Sequence, residues 1–330
     1  MSKFTDVAST SHTLSLAAME EASRVGQRTA DIDHLLIALV LNEQIAGQVL
    51  RSFSITLDAA REAVAEQHAD HLATLGIQTA AAGSGRIVFH ETNGYEWSNR
   101  ALGVIRRASE GGKRGDASAV LRGLVTEPSG MIEAILKRLD TTPEAITAKL
   151  DEAERYPTHR PQRAVRAGTL SGASEAFAPA SPEQVWGLLA DPSRMPEWEP
   201  GIGRVEDAPA AIKVGETWAA FARTERPDGK PIPVKPGFIT QHVEVVALEE
   251  PRLIEWRLTY PETPRANARY IRVEIEPAAG GTQLRLALAW ERSPNRPRRP
   301  FLGFVMRPVF RLVLWIQLSQ LGGGISRAFR

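Results

Sequence analysis

Apolar residues recur at two different periods along the chain, and the change falls near residue 170. Before it they return every three or four positions. In DIDHLLIALV, Ile32, Leu35, Leu36 and Leu39 share one helical face, with Asp31 placed to cap the helix. This spacing predicts helix through most of 1–153. After the change the period is two. RLIEWRLTY (252–260) puts Ile254, Trp256, Leu258 and Tyr260 on one face. YIRVEIE (270–276) sets Ile271, Val273 and Ile275 against Tyr270, Arg272 and Glu274, and TQLRLALAW (282–290) aligns Leu284, Leu286, Leu288 and Trp290. EEP (249–251) and AAGG (278–281) are the turns between these runs. Further strands are predicted near 170–178, 203–207, 216–224 and 238–248. Alternation of this kind describes an antiparallel sheet with one wet face and one buried face. The apolar segment 300–329 is the long helix left to cover it. In SPEQVWGLLADPSRMPEWEPGI (181–202), Ser181 and Pro182 start a short helix that turns Val185, Trp186, Leu188 and Leu189 inward. Asp191-Pro192 starts another, which Pro196 ends.

The helical half repeats itself at an offset of 86. EASRVGQR (21–28) faces RASEGGKR (107–114), and VLRSFSITLDAAREAV (49–64) faces ILKRLDTTPEAITAKL (135–150). Two stacked helical units are therefore expected, about 1–78 and 87–153, joined by the small-residue spacer TAAAGSGR (79–86). ERYPTHRPQRAVRAG (154–168) is rich in Arg and Pro, has no apolar period, and reads as a linker to a second domain at 169–330.

Composition narrows the chemistry. A chain of 330 residues has room for two cores. A net charge of +1 gives no overall pull toward nucleic acid, and no nucleic-acid partner is expected. The absence of cysteine removes disulfides, thiolate nucleophiles and Cys-based metal sites, and it suits a reducing cytoplasm. MSKFTDVAST has no apolar run of signal-peptide length, so a cytoplasmic location is expected. As a helix, 301–321 would be about 31 Å long, near the thickness of one hydrocarbon core. Arg307, Arg311, Pro308, Gln317 and Gln320 cancel its apolar gain, so a packed or interfacial helix is expected instead of a span. After Trp290 there are eight arginines, no lysine, and Glu291 as the one acid. A basic stretch beside an apolar helix suits either contact with an anionic membrane surface or a solvated hinge.

The segment AFAPASPEQVWGLLADPSRMPEWEPGI, taken with GGTQLRLALAW and the C-terminal amphipathic helix, resembles the SRPBCC superfamily. This is the START-like helix-grip fold that includes polyketide cyclase/dehydrase and lipid-transport members. The resemblance covers about 170–330. It implies a curved antiparallel sheet, a long helix across its mouth, and a cavity for a hydrophobic small molecule or lipid. Trp218, Trp256, Tyr260, Trp290, Phe304 and Trp315 are the residues expected to line that space or to fill it. DIDHLLIALV followed by AGQVLRSFSITLDAAREAV resembles the N-terminal docking domain of Clp chaperones, a doubled four-helix repeat, over about 1–153. That resemblance implies docking of a protein or peptide. Thr5 and Asp33 match family positions that help bind phosphorylated arginine or adaptors, and Ser118 stands at the acidic position of the second repeat. The expected fold is thus multidomain: an all-α double four-helix repeat, then an α+β helix-grip domain.

No phosphate loop accompanies the docking half. Gly112-Lys113 is followed by Arg and Gly229-Lys230 by Pro, where a Walker A motif needs Ser or Thr. Acid–base chemistry would need polar groups converging in the cavity. Tyr260 faces inward by parity. His242 and Glu244 take the parity opposite Val243 and Val245 and face solvent, while Glu216 and Arg223 have no clear direction. No catalytic residue is assigned. HADH (68–71) spaces two histidines around Asp70 without a third ligand cluster, so neither metal nor cofactor is expected. His34 reads as a structural helix residue. The leading expectation is a non-ATPase carrier of a hydrophobic small molecule or lipid whose helical half docks a partner. The alternatives are a polyketide cyclase/dehydrase-like enzyme, or an interaction module whose helix-grip half is filled and structural.

Overall fold

Short polar side chains start most of the helices by taking the free amides of the first turn. The computed structural model describes residues 3–77, 85, 87, 94–110, 116–155, 170–226, 229–295 and 307–330, with side chains from 10 onward in the first helix and from 309 onward in the last. The chain divides into two units, Met1–Thr158 and His159–Arg330.

The first unit holds α1 (Lys3–Arg24), α2 (Ile32–Val40), α3 (Ile45–Ser52), α4 (Leu57–Thr74), α5 (Asn99–Ser109), α6 (Ala117–Val125), α7 (Met131–Arg138) and α8 (Pro143–Glu154). Two short strands, β1 (Thr29–Ala30) and β2 (Glu96–Trp97), pair in parallel. The internal repeat is visible in the elements. α3 and α7 begin at Ile45 and Met131, and α4 and α8 at Leu57 and Pro143, both pairs at the offset found in the sequence. Thr56 and Thr142 cap α4 and α8, and Asp31 and Asp116 cap α2 and α6. Ser54 and Asp140 both adopt left-handed backbone, with φ of 60° and 52°, at corresponding turns. Every residue of α2 is buried, beyond the single expected face, because this helix is central to its unit. Arg51 is buried too. Its Nη1 donates to the carbonyls of Val40 (2.6 Å) and Asn42 (2.8 Å), closing the turn between α2 and α3.

The second unit runs β3 (Leu170–Ala178), α9 (Pro182–Leu189), α10 (Met195–Trp198), β4 (Ile202–Glu206), β5 (Thr217–Ala222), β6 (Thr240–Glu249), β7 (Leu253–Thr259), β8 (Ala268–Ala278), β9 (Gly281–Glu291) and α11 (Arg307–Arg327). Its seven strands form one antiparallel sheet in the order β3-β9-β8-β7-β6-β5-β4, with register shifts in β4 and β6 that bend it. Ser181 caps α9 in a capping box with Gln184, and Pro182 opens the helix. The outer face of the sheet carries ion pairs. Arg257 meets Glu244 at 3.2 Å, Arg272 meets Glu274 at 2.8 Å, and Arg285 meets Glu276 at 2.7 Å. The inner face is apolar and is covered by α9, α10 and α11. α11 buries Leu314, Leu318, Leu321 and Ile325 against it. Glycine permits that approach. A Cβ at Gly322 would lie 2.8 Å from Ala176 Cβ, and one at Gly324 would lie 2.3 Å from the carbonyl oxygen of Trp198.

Candidate ligand site

Trp186, Pro196, Trp198 and Pro200 crowd one short segment of the second unit. Trp198 ends α10 and packs on Trp256 of β7, with ring centroids 5.0 Å apart. Both rings are 1% exposed, so they fill the space under the helices instead of lining an open wall. Arg223 holds the segment in place. Its Nη2 donates to the carbonyls of Pro196 (2.7 Å) and Ile202 (3.1 Å), and its Nε donates to that of Pro200 (3.3 Å).

The residues expected in the pocket separate into three groups. Trp218 and Trp256 are buried in the core cluster. Tyr260, Trp290 and Trp315 are half-buried. Phe304 lies outside the described residues. Tyr260 sits just past the end of β7 and packs on Phe238 at 4.9 Å, while Trp290 meets Phe310 of α11 edge-on at 6.2 Å. His242 and Glu244 stand on the outer side, as their parity implies, with Glu244 paired to Arg257.

Two polar residues that parity arguments passed over form the centre of this end of the sheet. Arg269 shares the parity of Ile271 and Val273, and it pairs across the ladder with Leu258 on one side and Trp290 on the other. It therefore points inward. Its Nη2 lies 3.1 Å from Oε1 of Glu199, a carboxylate only 3% exposed that also accepts the amide of Gly201. Burial pulls the Arg269 guanidinium down, but Glu199 and then Tyr260 push it above its ordinary value, so it stays charged. Several buried polar atoms at this end lack a partner among the described residues: Nε of Arg269, the indole nitrogens of Trp198 and Trp218, and Oε1 of Gln241. Buried polar groups are ordinarily satisfied, so these four atoms leave hydrogen-bonding capacity open at this end, while other such atoms are scattered through both units. An open cleft of about 530 Å³, lined by Glu262, Thr263, Pro264, Arg265 and Asn295, lies at the same end of the sheet. Of the five expected pocket residues that are described, none lines it.

The expected docking residues lie in the first unit. Thr5 belongs to α1, with its side chain outside the described set. Asp33 is 1% exposed. Its Oδ1 accepts the backbone amide of His34 at 2.8 Å, and its Oδ2 lies 2.8 Å from Nε2 of His68 on α4. Burial alone would raise the Asp33 carboxyl, but His34 and His68 outweigh it and hold it far below the usual carboxylate range. His68 is raised by the same contact with Asp33, against a smaller opposing effect of burial. The carboxylate expected to dock a partner is thus buried in an internal pair with His68. The HADH segment supplies one half of it, while His71 is exposed on its own. His34 is structural: its Nδ1 accepts the amide of Asp31 and completes the cap of α2.

A bent seven-stranded antiparallel sheet, gripped by a C-terminal helix over an apolar inner face, defines a hydrophobic ligand-binding fold of the helix-grip class. Residues 171–321 match the family described as polyketide cyclase / dehydrase and lipid transport, and the second unit carries a domain of that family. No curated protein matches the chain. Among solved structures, the di-domain ARO/CYC StfQ from the steffimycin biosynthetic pathway is 16% identical, with 62% of this chain and 60% of that chain covered and a TM-score of 0.35. Protein CV1439 from Chromobacterium violaceum is 15% identical, covering 49% of this chain and 99% of that one, with a TM-score of 0.32. The N-terminal domain of the chaperone ClpD from Arabidopsis thaliana is 21% identical, covering 44% of this chain and 92% of that one, with a TM-score of 0.34.

Proposed function

We propose that the second unit carries a hydrophobic small molecule or lipid whose polar end meets Arg269 and Glu199 at the open end of the sheet. The observation that carries this reading is the set of unpartnered buried polar atoms on an otherwise apolar inner face. A ligand with an apolar body and a hydroxyl-bearing end accepts from the guanidinium and indole N–H groups and donates to Oε1 of Gln241. The helical half docks a protein or peptide without ATPase chemistry of its own, through Thr5 and an Asp33 that a cationic partner group frees from His68. Native mass spectrometry of the chain purified from its own host tests the carrier. A mass increment that disappears on denaturation, and falls in Arg269→Met, is expected. Repeated preparations without any increment overturn the reading.

A second reading, an enzyme of the cyclase/dehydrase kind, draws on the paired guanidinium and carboxylate of Arg269 and Glu199, with the Tyr260 phenol just past the end of the neighbouring strand β7. Arg269 would polarise a carbonyl while Tyr260 exchanged a proton. Recovery of the bound molecule chemically unchanged after prolonged incubation favours the carrier.

A further inference from the structure

α11 is apolar on two faces, and only one of them is used inside the fold. Leu314, Leu318, Leu321 and Ile325 are buried on the sheet. On the opposite side Val309, Leu312 and Ile316 recur at helical spacing and are 48%, 51% and 39% exposed. The apolar stripe is confined to the first half of the helix. Gln320 continues the same face as an exposed polar residue. A contiguous apolar stripe left in water at the start of a helix marks an interaction surface. Charge identifies its partner. From Glu291 to the end of the chain there are eight arginines, no lysine and no other acid, with Arg292, Arg296, Arg298, Arg299 and Arg307 preceding the stripe. Arg311 is exposed on the flank of the helix beside Leu312.

We infer that this face of α11 lies in the surface of an anionic membrane. Arginine keeps its charge at any physiological pH, and juxtaposed basic residues draw a helix to anionic lipid while its apolar side chains enter the acyl boundary. A bilayer surface supplies the negative charge and the apolar medium together. A second copy of the chain would instead bring one arginine cluster against another, which repels. Insertion is parallel to the surface. The far side of the helix is already committed to the sheet, and among the described residues no helix is long and apolar enough to cross a membrane. The inference stands whether or not the sheet holds a ligand.

Co-sedimentation of the full chain with vesicles tests it. Binding to phosphatidylcholine mixed with phosphatidylserine is expected to exceed binding to phosphatidylcholine alone by roughly tenfold and to weaken as salt shortens the Debye length. Leu312→Glu and Ile316→Glu are each expected to weaken binding roughly tenfold, and Gln320→Glu, one turn further along the same face, by less than about twofold. All three positions are exposed, and unchanged circular dichroism shows that the variants fold. Equal binding to both vesicle types, or no binding at low salt, overturns the inference, as does an equal loss in Gln320→Glu. A dimer in light scattering that Leu312→Glu dissolves also overturns it and assigns the stripe to a second copy.

Discussion

Asp33 and His68 show how one buried pair sets the pH response of the helical unit. Their pKa values move in opposite directions, and each movement contributes stability in a different range. Asp33 is lowered, so its contribution is present above the ordinary carboxylate value of 3.8 and is lost as pH falls below it. His68 is raised, so its contribution is complete below the ordinary imidazole value of 6.5 and is lost as pH rises through the folded-state value. Asp31 adds to the upward push on His68 and Arg100 opposes it. The helical unit is therefore expected to be most stable between about pH 4 and 6.5, with a melting temperature that declines on the alkaline side. His68→Gln should abolish the alkaline decline. A wild-type melting temperature that stays flat through that side would show that the pair carries no folding energy. The side chain of His68 is 37% exposed, so solvent screens the contact and the slope should be shallow.

At the scale of the element, three consecutive glycines in α11 respond differently to the same change. Gly322 and Gly324 face Ala176, Leu286 and the backbone of Trp198, while a Cβ at Gly323 would meet nothing within 4 Å. Gly322→Ala and Gly324→Ala are expected to destabilise the second unit by about 1–3 kcal/mol, with Gly324 the worse because its obstacle is backbone. Gly323→Ala should stabilise by about 0.5–1 kcal/mol, since only helix propensity changes there. Denaturant unfolding followed by tryptophan emission measures all three, and a uniform effect would refute the packing assignment. The helix and the central strands were legible in the sequence because their apolar residues repeat locally. Parity along β7, β8 and β9 gave the inner face correctly, down to His242 and Glu244 on the outer side of β6. The same parity contained Arg269, but a charged residue at an inward position is recognised as such only when its partner is known. That partner, Glu199, lies seventy residues earlier in a loop without periodicity. The Trp198–Trp256 contact is equally non-local. It is why aromatics read as lining or filling a pocket divide, in the structure, into buried filler and half-buried rim.

For the whole molecule, the two units bury separate cores. The helical cluster contains residues up to Leu150, and the sheet cluster begins at Ala176. Each core is therefore expected to carry its own cooperative transition. Tryptophan distribution lets the two be observed apart: Trp97 is the one tryptophan in the first unit and the other six belong to the second. Tryptophan emission therefore follows the sheet unit, and far-ultraviolet ellipticity weights the helical one. Gly47→Ala should disturb only the helical transition, because its Cβ would fall 1.9 Å from the Asn42 carbonyl oxygen that Arg51 also holds. A loss of about 2–3 kcal/mol is expected there. Trp256→Ala should lower the tryptophan-detected transition by about 3–5 kcal/mol, as for a large ring removed from a packed core, and leave the helical transition in place. If both probes moved together in either variant, the units would unfold as one body. Ligand occupancy in the sheet could then reach the docking half through folding energy alone. If they move separately, any communication between ligand and partner must act by contact or at a shared membrane surface, which is where the arginine-flanked stripe of α11 would hold the chain.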